Sequence, residues 1–289
     1  MIQEDIALKN GTIDIPGTLT YDTEITEQHL VIYVHGSGNV DRNGNQSALV
    51  TPNYIRALSD SLVQRGIAFY RYDKRTATAS NIKKMLPNIS ISDFVADLLI
   101  AIDHFKQDPR FSSITLIGHS QGSLIALLAE NNAVDRYISL AGAGRTIDKI
   151  IVEQLNASNK EIGEMAKGYF KTLQNKDTID TVDPLLLGLF NPYMQKFIKY
   201  WASIDPTDQI KKVKVPTLIL HGDADTQVPV TDAEALHRAK PGSKLVIIPK
   251  MNHVLKTVND ETENLASYTN EKYPLSSILV DTIANFIKP

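Results

Sequence analysis

The chain has 289 residues, 43% of them hydrophobic and 22% charged, with 30 Lys and Arg against 33 Asp and Glu for a formal net charge of -3. Those proportions are ordinary for a globular protein and exclude a fibrous or disordered chain. The absence of Cys removes disulfides, zinc–thiolate sites and thiol nucleophiles. No basic tract is present to bind nucleic acid. The longest apolar runs, such as Leu30–Val34 and Leu124–Ala129, fall far short of the roughly 20 residues that a membrane span requires.

Residues 1–6 combine neither a basic start nor an apolar stretch of signal-peptide length, which predicts an intracellular, cytoplasmic protein. Ile6–Leu8 and then Thr12–Tyr21 are strand-like without a helix between them, and predict an antiparallel start to a sheet. Leu30–Val34 is a third strand signal, stopping at His35-Gly36-Ser37-Gly38. Tyr54–Gln64 carries apolar residues at 55, 58 and 62, a helical spacing, and Ile67–Tyr70 follows as a strand. Phe94, Leu98, Ile102 and Phe105 recur every three or four residues behind Ser90-Ile91-Ser92-Asp93, a helix start. Ile114–Ile117 is a strand, Gly118–Gly122 a turn, and a helix runs on through Glu130. Arg136–Leu140 closes this block as a strand ending in Ala141–Gly144.

The alternation stops at Arg145. Residues 145–204 contain no strand signal and read as several helices. It resumes with a strand at Val215–Leu220, a helix at Thr231–Ala239, a strand at Lys244–Ile248 and a helix at Leu275–Ile287. Strands apolar on both faces and separated by helices predict an α/β fold: a mostly parallel sheet flanked by helices on both sides. Residues 1–144 and 205–289 would form that core, and residues 145–204 a helical cap insertion.

Gly118-His119-Ser120-Gln121-Gly122 matches G-x-S-x-G. The pentapeptide alone would arise by chance in roughly one chain in twenty, so its context carries the weight. A strand precedes it and a helix follows, the strand–turn–helix of a nucleophile elbow. The flanking glycines allow strand and helix to approach around a strained serine, and the helix N-terminus aims N–H groups at charge developing beside it.

A serine hydroxyl needs a base, and the base an orienting acid. On this kind of fold the order along the chain is Ser, Asp or Glu, then His. After Ser120 come His221, His237 and His253. His253 follows the strand Lys244–Ile248 and is the expected base; His221 reads as a packed turn residue and His237 as a surface residue of a helix. Beyond the strand Val215–Leu220, Asp223 and Asp225 compete for the acid. Asp225 is preferred because it lies past the turn, whereas Asp223 sits inside it and is expected to cap its backbone. The backbone N–H groups of Gln121 and Ser37 are the expected oxyanion donors.

His35-Gly36-Ser37-Gly38, the Ser120 elbow, Asp225 and His253 together resemble the α/β-hydrolase superfamily. His35–Gly44, of the type H-G-S-G-x-x-D-R-[DN]-G, and Tyr72-Asp73-Lys74-Arg75 are similar to loops of a group of bacterial serine carboxylesterases. The resemblance covers about residues 30–289 apart from 145–204. It implies hydrolysis of carboxylic esters through an acyl-serine, with no cofactor, no metal and a small-molecule ester as the partner. The group's glycines after Y-D-K-R are replaced here by Thr76 and Thr78. β-Branched residues avoid positive φ, so this loop is expected to take another path.

Asp41 and Arg42 are expected to hold the long loop over the sheet as an ion pair or cap. Lys74 and Arg75 either anchor their loop or meet an anionic substrate group. Phe190, Tyr193, Phe197, Tyr200 and Trp201 form one stripe at helical spacing. That stripe either glues the cap to the sheet or lines a substrate pocket, with Phe190, Tyr193, Phe197 and Trp201 as the candidate binding residues. Competing readings on the same triad are a peptidase or aminopeptidase and a thioesterase or acyltransferase. A ligand-binding protein without catalysis would be expected to lack a triad member. Ser120 argues against dehalogenase and epoxide-hydrolase chemistry, which the resemblance associates with an aspartate nucleophile.

Overall fold

The computed structural model of the chain describes residues 1–46, 50–85 and 88–289. Its centre is an eight-stranded sheet built from β1 (Ile2–Asn10), β2 (Ile13–Tyr21), β3 (Gln28–Val34), β4 (Ile67–Tyr72), β5 (Phe111–His119), β6 (Arg136–Leu140), β7 (Thr217–Gly222) and β8 (Lys244–Ile248). The spatial order is β1-β2-β4-β3-β5-β6-β7-β8. β1 and β2 form an antiparallel pair and β2 runs antiparallel to β4, while every pairing from β4 to β8 is parallel.

The helices within the first half are α1 (Tyr54–Val63), α2 (Ile82–Met85), α3 (Ile91–Phe105) and α4 (Gln121–Ala129). α3 begins where the sequence signals it. The Ser90 hydroxyl accepts from the Ser92 N–H and the Asp93 carboxylate accepts from the Ser90 N–H, a reciprocal cap worth about 1 kcal/mol. Between β6 and β7 the chain forms helices joined by loops, with no strand among the described residues: α5 (Ile147–Ser158), α6 (Lys160–Asn175), α7 (Leu187–Phe190), α8 (Gln195–Ala202) and α9 (Pro206–Ile210). α10 (Val230–Ala239), α11 (Glu261–Ser267) and α12 (Ser277–Ile287) complete the fold.

Successive residues of the central strands face opposite sides of the sheet, and both sides are buried. Leu30, Ile32 and Val34 of β3 pack with α3 and α4 on one face of the sheet, and Val31 and Tyr33 pack with α1 and α12 on the other. A third apolar cluster lies among the helices between β6 and β7, around Phe170, Leu173, Phe190 and Ile198. Arg145 fastens the start of this segment to α10: its guanidinium binds the fully buried Asp232 carboxylate at 2.7 Å, which also accepts from the Gly144 N–H.

The aromatic stripe differs from expectation. Phe190 ends α7, Tyr193 lies in the turn after it, and only Phe197, Tyr200 and Trp201 share a helix, α8. The cause is Pro192, which disfavours helical backbone at the residue before it. Asn191 accordingly has ψ 153° and ends α7. α11 is not among the predicted elements; of its seven residues only Leu265 and Ala266 are apolar. No helix among the described residues is long and apolar enough to cross a membrane.

Candidate active site

The strand order turns around at β3 and β5. From β3 the chain proceeds outward to β4, and from β5 it proceeds the other way through β6, β7 and β8. The loops leaving the carboxyl ends of β3 and β5 therefore diverge and leave a crevice between them, where open α/β sheets bind ligands. The first of these loops is His35–Gly38 and the second is the Ser120 turn.

Ser120 links the last residue of β5 to the first of α4 with φ 53° and ψ -121°. For a residue with a side chain this backbone is strained, at a cost of about 1–3 kcal/mol. Surrounding packing holds it there. A Cβ added at Gly118 would come within 2.6 Å of the Ser123 Cα, and one at Gly122 within 2.6 Å of the His35 carbonyl oxygen. Only glycine allows the close crossing of β5, α4 and the loop after β3. A Cβ at Gly36 would stand 3.2 Å from that of Ser120, which measures how closely the two loops meet. At the start of α4 the first N–H groups have no intrahelical partner, and that of Gln121 adjoins Ser120. Ser37 and Gln121 both face the cavity described below.

Asp225 and His253 leave the carboxyl ends of β7 and β8, on the same edge of the sheet. The His253 Nδ1–H donates to Asp225 Oδ2 at 2.7 Å, with the carboxylate fully buried and the imidazole side chain 6% exposed. Asp225 Oδ1 accepts from the N–H groups of Gln227 and Val228 at 2.8 and 3.0 Å. Burial pushes the Asp225 carboxyl up, but the His253 charge and hydrogen bond, His221 and the Val228 N–H outweigh it, so its pKa lies below the ordinary value. With Nδ1–H committed to the carboxylate, the neutral ring keeps Nε2 as its basic nitrogen.

Asp223 does not cap its own turn; its Oδ1 accepts from the Lys250 N–H at 2.6 Å and joins the loops after β7 and β8. His221 is fully buried with Nε2 donating to the Val228 carbonyl at 2.7 Å. His237 is half-buried rather than free on the surface, because Nδ1 bonds the Ser243 hydroxyl at 2.9 Å. The His253 loop is braced from below by Asn252, whose side-chain amide donates to Asn264 and Ser267 of α11.

Beside Ser120 opens a cavity of about 640 Å³. Its wall is mostly apolar, with Phe94 and Leu124 from the core and Ile151, Met194, Phe197 and Trp201 from the helices between β6 and β7. Of the candidate binding aromatics, Phe197 and Trp201 line it, 5.7 Å apart. Phe190 is instead buried in the helical cluster against Tyr169 and Phe170, and Tyr193 is 60% exposed.

The long loop after β3 is held as a loop should be. Arg42 binds Asp73 bidentately at 2.9 and 3.0 Å, and Asp41 Oδ1 accepts from the N–H groups of Asn43 and Asn45. Arg75 is buried against Asp97 at 2.6 Å and Asp93 at 3.0 Å, so it anchors the segment after β4 to α3. Thr78 has φ -88°, and Thr76 also keeps clear of positive φ. Lys74 faces the cavity from a buried position, and burial pushes its pKa down to about 7. Its contacts, and those of His119, are not marked by any sequence pattern. Among the described residues no group of three or more His, Cys, Asp or Glu side chains converges as a metal site.

Among solved structures the chain is similar to Est1E from Butyrivibrio proteoclasticus, at a TM-score of 0.62 and 19% identity over 99% of each chain. Est1E has also been solved with ferulic acid bound. The Pyrococcus furiosus esterase Pf2001 matches at a TM-score of 0.61 and 15% identity, covering 99% of this chain and 90% of that one. By sequence, the chain is 24% identical over 237 residues to a non-heme haloperoxidase of Rhodococcus erythropolis, covering 70% of this chain and 81% of that protein. These likenesses and the sheet described above identify the fold as that of the α/β-hydrolases. The BD-FAE family model matches residues 20–239, and the chain belongs to the BD-FAE family.

Proposed function

We propose that this chain is a serine hydrolase that cleaves carboxylic esters of short to medium acyl chain through an acyl-Ser120 intermediate. The observation that carries the reading is the 2.7 Å pair of Asp225 and His253 on the sheet edge from which the strained Ser120 also rises. Strain of this kind persists only where surrounding structure over-determines it, and it gathers at reactive sites.

In the proposed cycle the ester enters the cavity with its carbonyl beside Ser120. His253 Nε2 accepts the hydroxyl proton as Oγ bonds to the carbonyl carbon, and the carbonyl π pair becomes an oxyanion. Asp225 holds the ring and stabilises its cationic form. The N–H groups of Ser37 and Gln121 bind the oxyanion, each worth roughly 3–4 kcal/mol to the transition state. Collapse of the intermediate breaks the ester C–O bond, and the imidazolium returns its proton to the departing alcohol. Water then repeats the sequence and releases the acid. Residues 145–204 act as a cap in this reading, with Phe197 and Trp201 as the wall against which the apolar part of the substrate packs.

The test is a series of p-nitrophenyl esters of increasing acyl length, with a ferulate ester, an aminoacyl p-nitroanilide and an acyl-CoA in the same panel. Turnover of the simple esters, absent in Ser120→Ala, is the expected result. Turnover confined to the anilide would make the chain a peptidase, and turnover confined to acyl-CoA a thioesterase.

A further inference from the structure

Lys74 follows β4 and ends between the two loops of the crevice. Its ammonium donates to the Gly36 carbonyl oxygen at 2.6 Å and to Gln121 Oε1 at 2.7 Å, and it lies 4.6 Å from the centre of the Phe94 ring. The residue is 4% exposed. Both hydrogen-bond acceptors are neutral, and among the described residues no carboxylate pairs with Lys74. The nearby acids are already spent: Asp93 and Asp97 bind Arg75, and Asp73 binds Arg42. Burying an ammonium without a carboxylate is costly, and neither loop anchoring nor packing requires it, since Arg75 and Arg42 already anchor the segment.

The identity of the two acceptors gives the charge a use. The Gly36 carbonyl belongs to the same peptide group as the Ser37 N–H. An Nζ–H bound to that oxygen fixes the peptide plane and, most strongly while the amine is protonated, draws electron density from its nitrogen, so the N–H becomes a stronger donor. Gln121, the residue carrying the other oxyanion donor, is held by the same ammonium. We propose that Lys74 is a positioning residue that clamps the two arms of the oxyanion site, aligning the Ser37 and Gln121 N–H groups through Gly36 and the Gln121 side chain and polarising that of Ser37. This inference rests on the acyl-serine reading above.

The test is Lys74→Met, which keeps much of the volume and removes the charge, assayed beside Ser120→Ala on the ester panel. Removing a whole oxyanion donor costs about 100- to 1,000-fold in kcat; weakening two should cost about 10- to 100-fold. The inference expects that loss in kcat with KM changed less than about threefold. It also expects a trifluoromethyl ketone, which forms an oxyanion on Ser120, to bind more weakly by a similar factor. An unchanged kcat, or a loss confined to KM, overturns it while an inactive Ser120→Ala leaves the acyl-serine reading standing. An active Ser120→Ala overturns both. If Lys74→Met does not fold by circular dichroism, Lys74→Ala is assayed with and without propylammonium. Saturable recovery of tenfold or more supports the clamp, and no recovery overturns it.

Discussion

His119 Nε2 donates to the backbone carbonyl of His253 at 2.8 Å, so the residue before the elbow serine holds the loop that carries the imidazole. The two rings lie 4.9 Å apart. Burial, reinforced by the charge of His253, pushes the His119 pKa down to about 3. The ring is therefore neutral at ordinary pH with its proton on Nε2, and Nδ1 faces the Tyr54 hydroxyl at 3.5 Å. His119→Leu should lower kcat by about 10-fold or more, because an imidazole displaced by about 1 Å no longer meets its partner. It should also cost about 1–3 kcal/mol of stability through the stranded carbonyl. Steady-state kinetics and urea unfolding check both figures; kcat within twofold of wild type would show that His253 does not depend on this tether.

Asp225→Asn should reduce kcat by about a thousandfold or more, since the amide neither stabilises the imidazolium nor fixes its tautomer. Asp223→Asn should reduce it less than about tenfold, because an amide oxygen can still accept from the Lys250 N–H. Equal losses would remove the distinction between the two acids. The depressed pKa of Asp225 adds a stability signature. A carboxyl whose folded pKa lies below its unfolded value of 3.8 contributes stability that is complete above that value and is lost as pH falls through the folded one. The stability gap between wild type and Asp225→Asn should therefore shrink as pH is lowered below about 4.

The aromatic residues should separate by location. Phe197→Ala and Trp201→Ala enlarge the cavity and should shift the preferred acyl chain to longer esters. Phe190→Ala should leave that preference unchanged while costing about 3–5 kcal/mol of stability. Tyr193→Ala, at an exposed turn, should stay within about 0.5 kcal/mol of wild type. A chain-length series and thermal unfolding of the four variants distinguish these outcomes.

Arg75 and Asp97 form an ion pair with side chains 5% and 2% exposed. Arg75→Met should cost about 3–5 kcal/mol, because Asp97 is left charged and buried. Arg75→Met combined with Asp97→Leu should cost less than the single change. Equal or greater loss in the double variant would show that the pair is worth more than the penalty of a stranded charge.

The sheet was legible because its strands are short apolar runs punctuated by glycine turns: Arg136–Leu140 and Lys244–Ile248 coincide with β6 and β8. The antiparallel opening of β1 and β2 followed from the lack of a helix between them. Within the site, Ser120, Asp225 and His253 could be nominated because each follows a strand in the expected order. Periodicity misled at the aromatic stripe, where it counts spacing and ignores Pro192. His119 and Lys74 were beyond it for another reason. Their partners lie 134 and 38–47 residues away and include backbone carbonyls, which leave no mark on side-chain pattern. α11, whose buried polar residues Asn264 and Ser267 brace the His253 loop, is similarly invisible to an apolar period.

Covalent labelling by a fluorophosphonate, followed by peptide mass spectrometry, tests directly whether Ser120 is the nucleophile. One adduct per chain is expected, on the peptide containing Ser120, formed in step with complete loss of ester hydrolysis and absent from Ser120→Ala. An adduct on another serine, or hydrolysis that survives full labelling of Ser120, would contradict it.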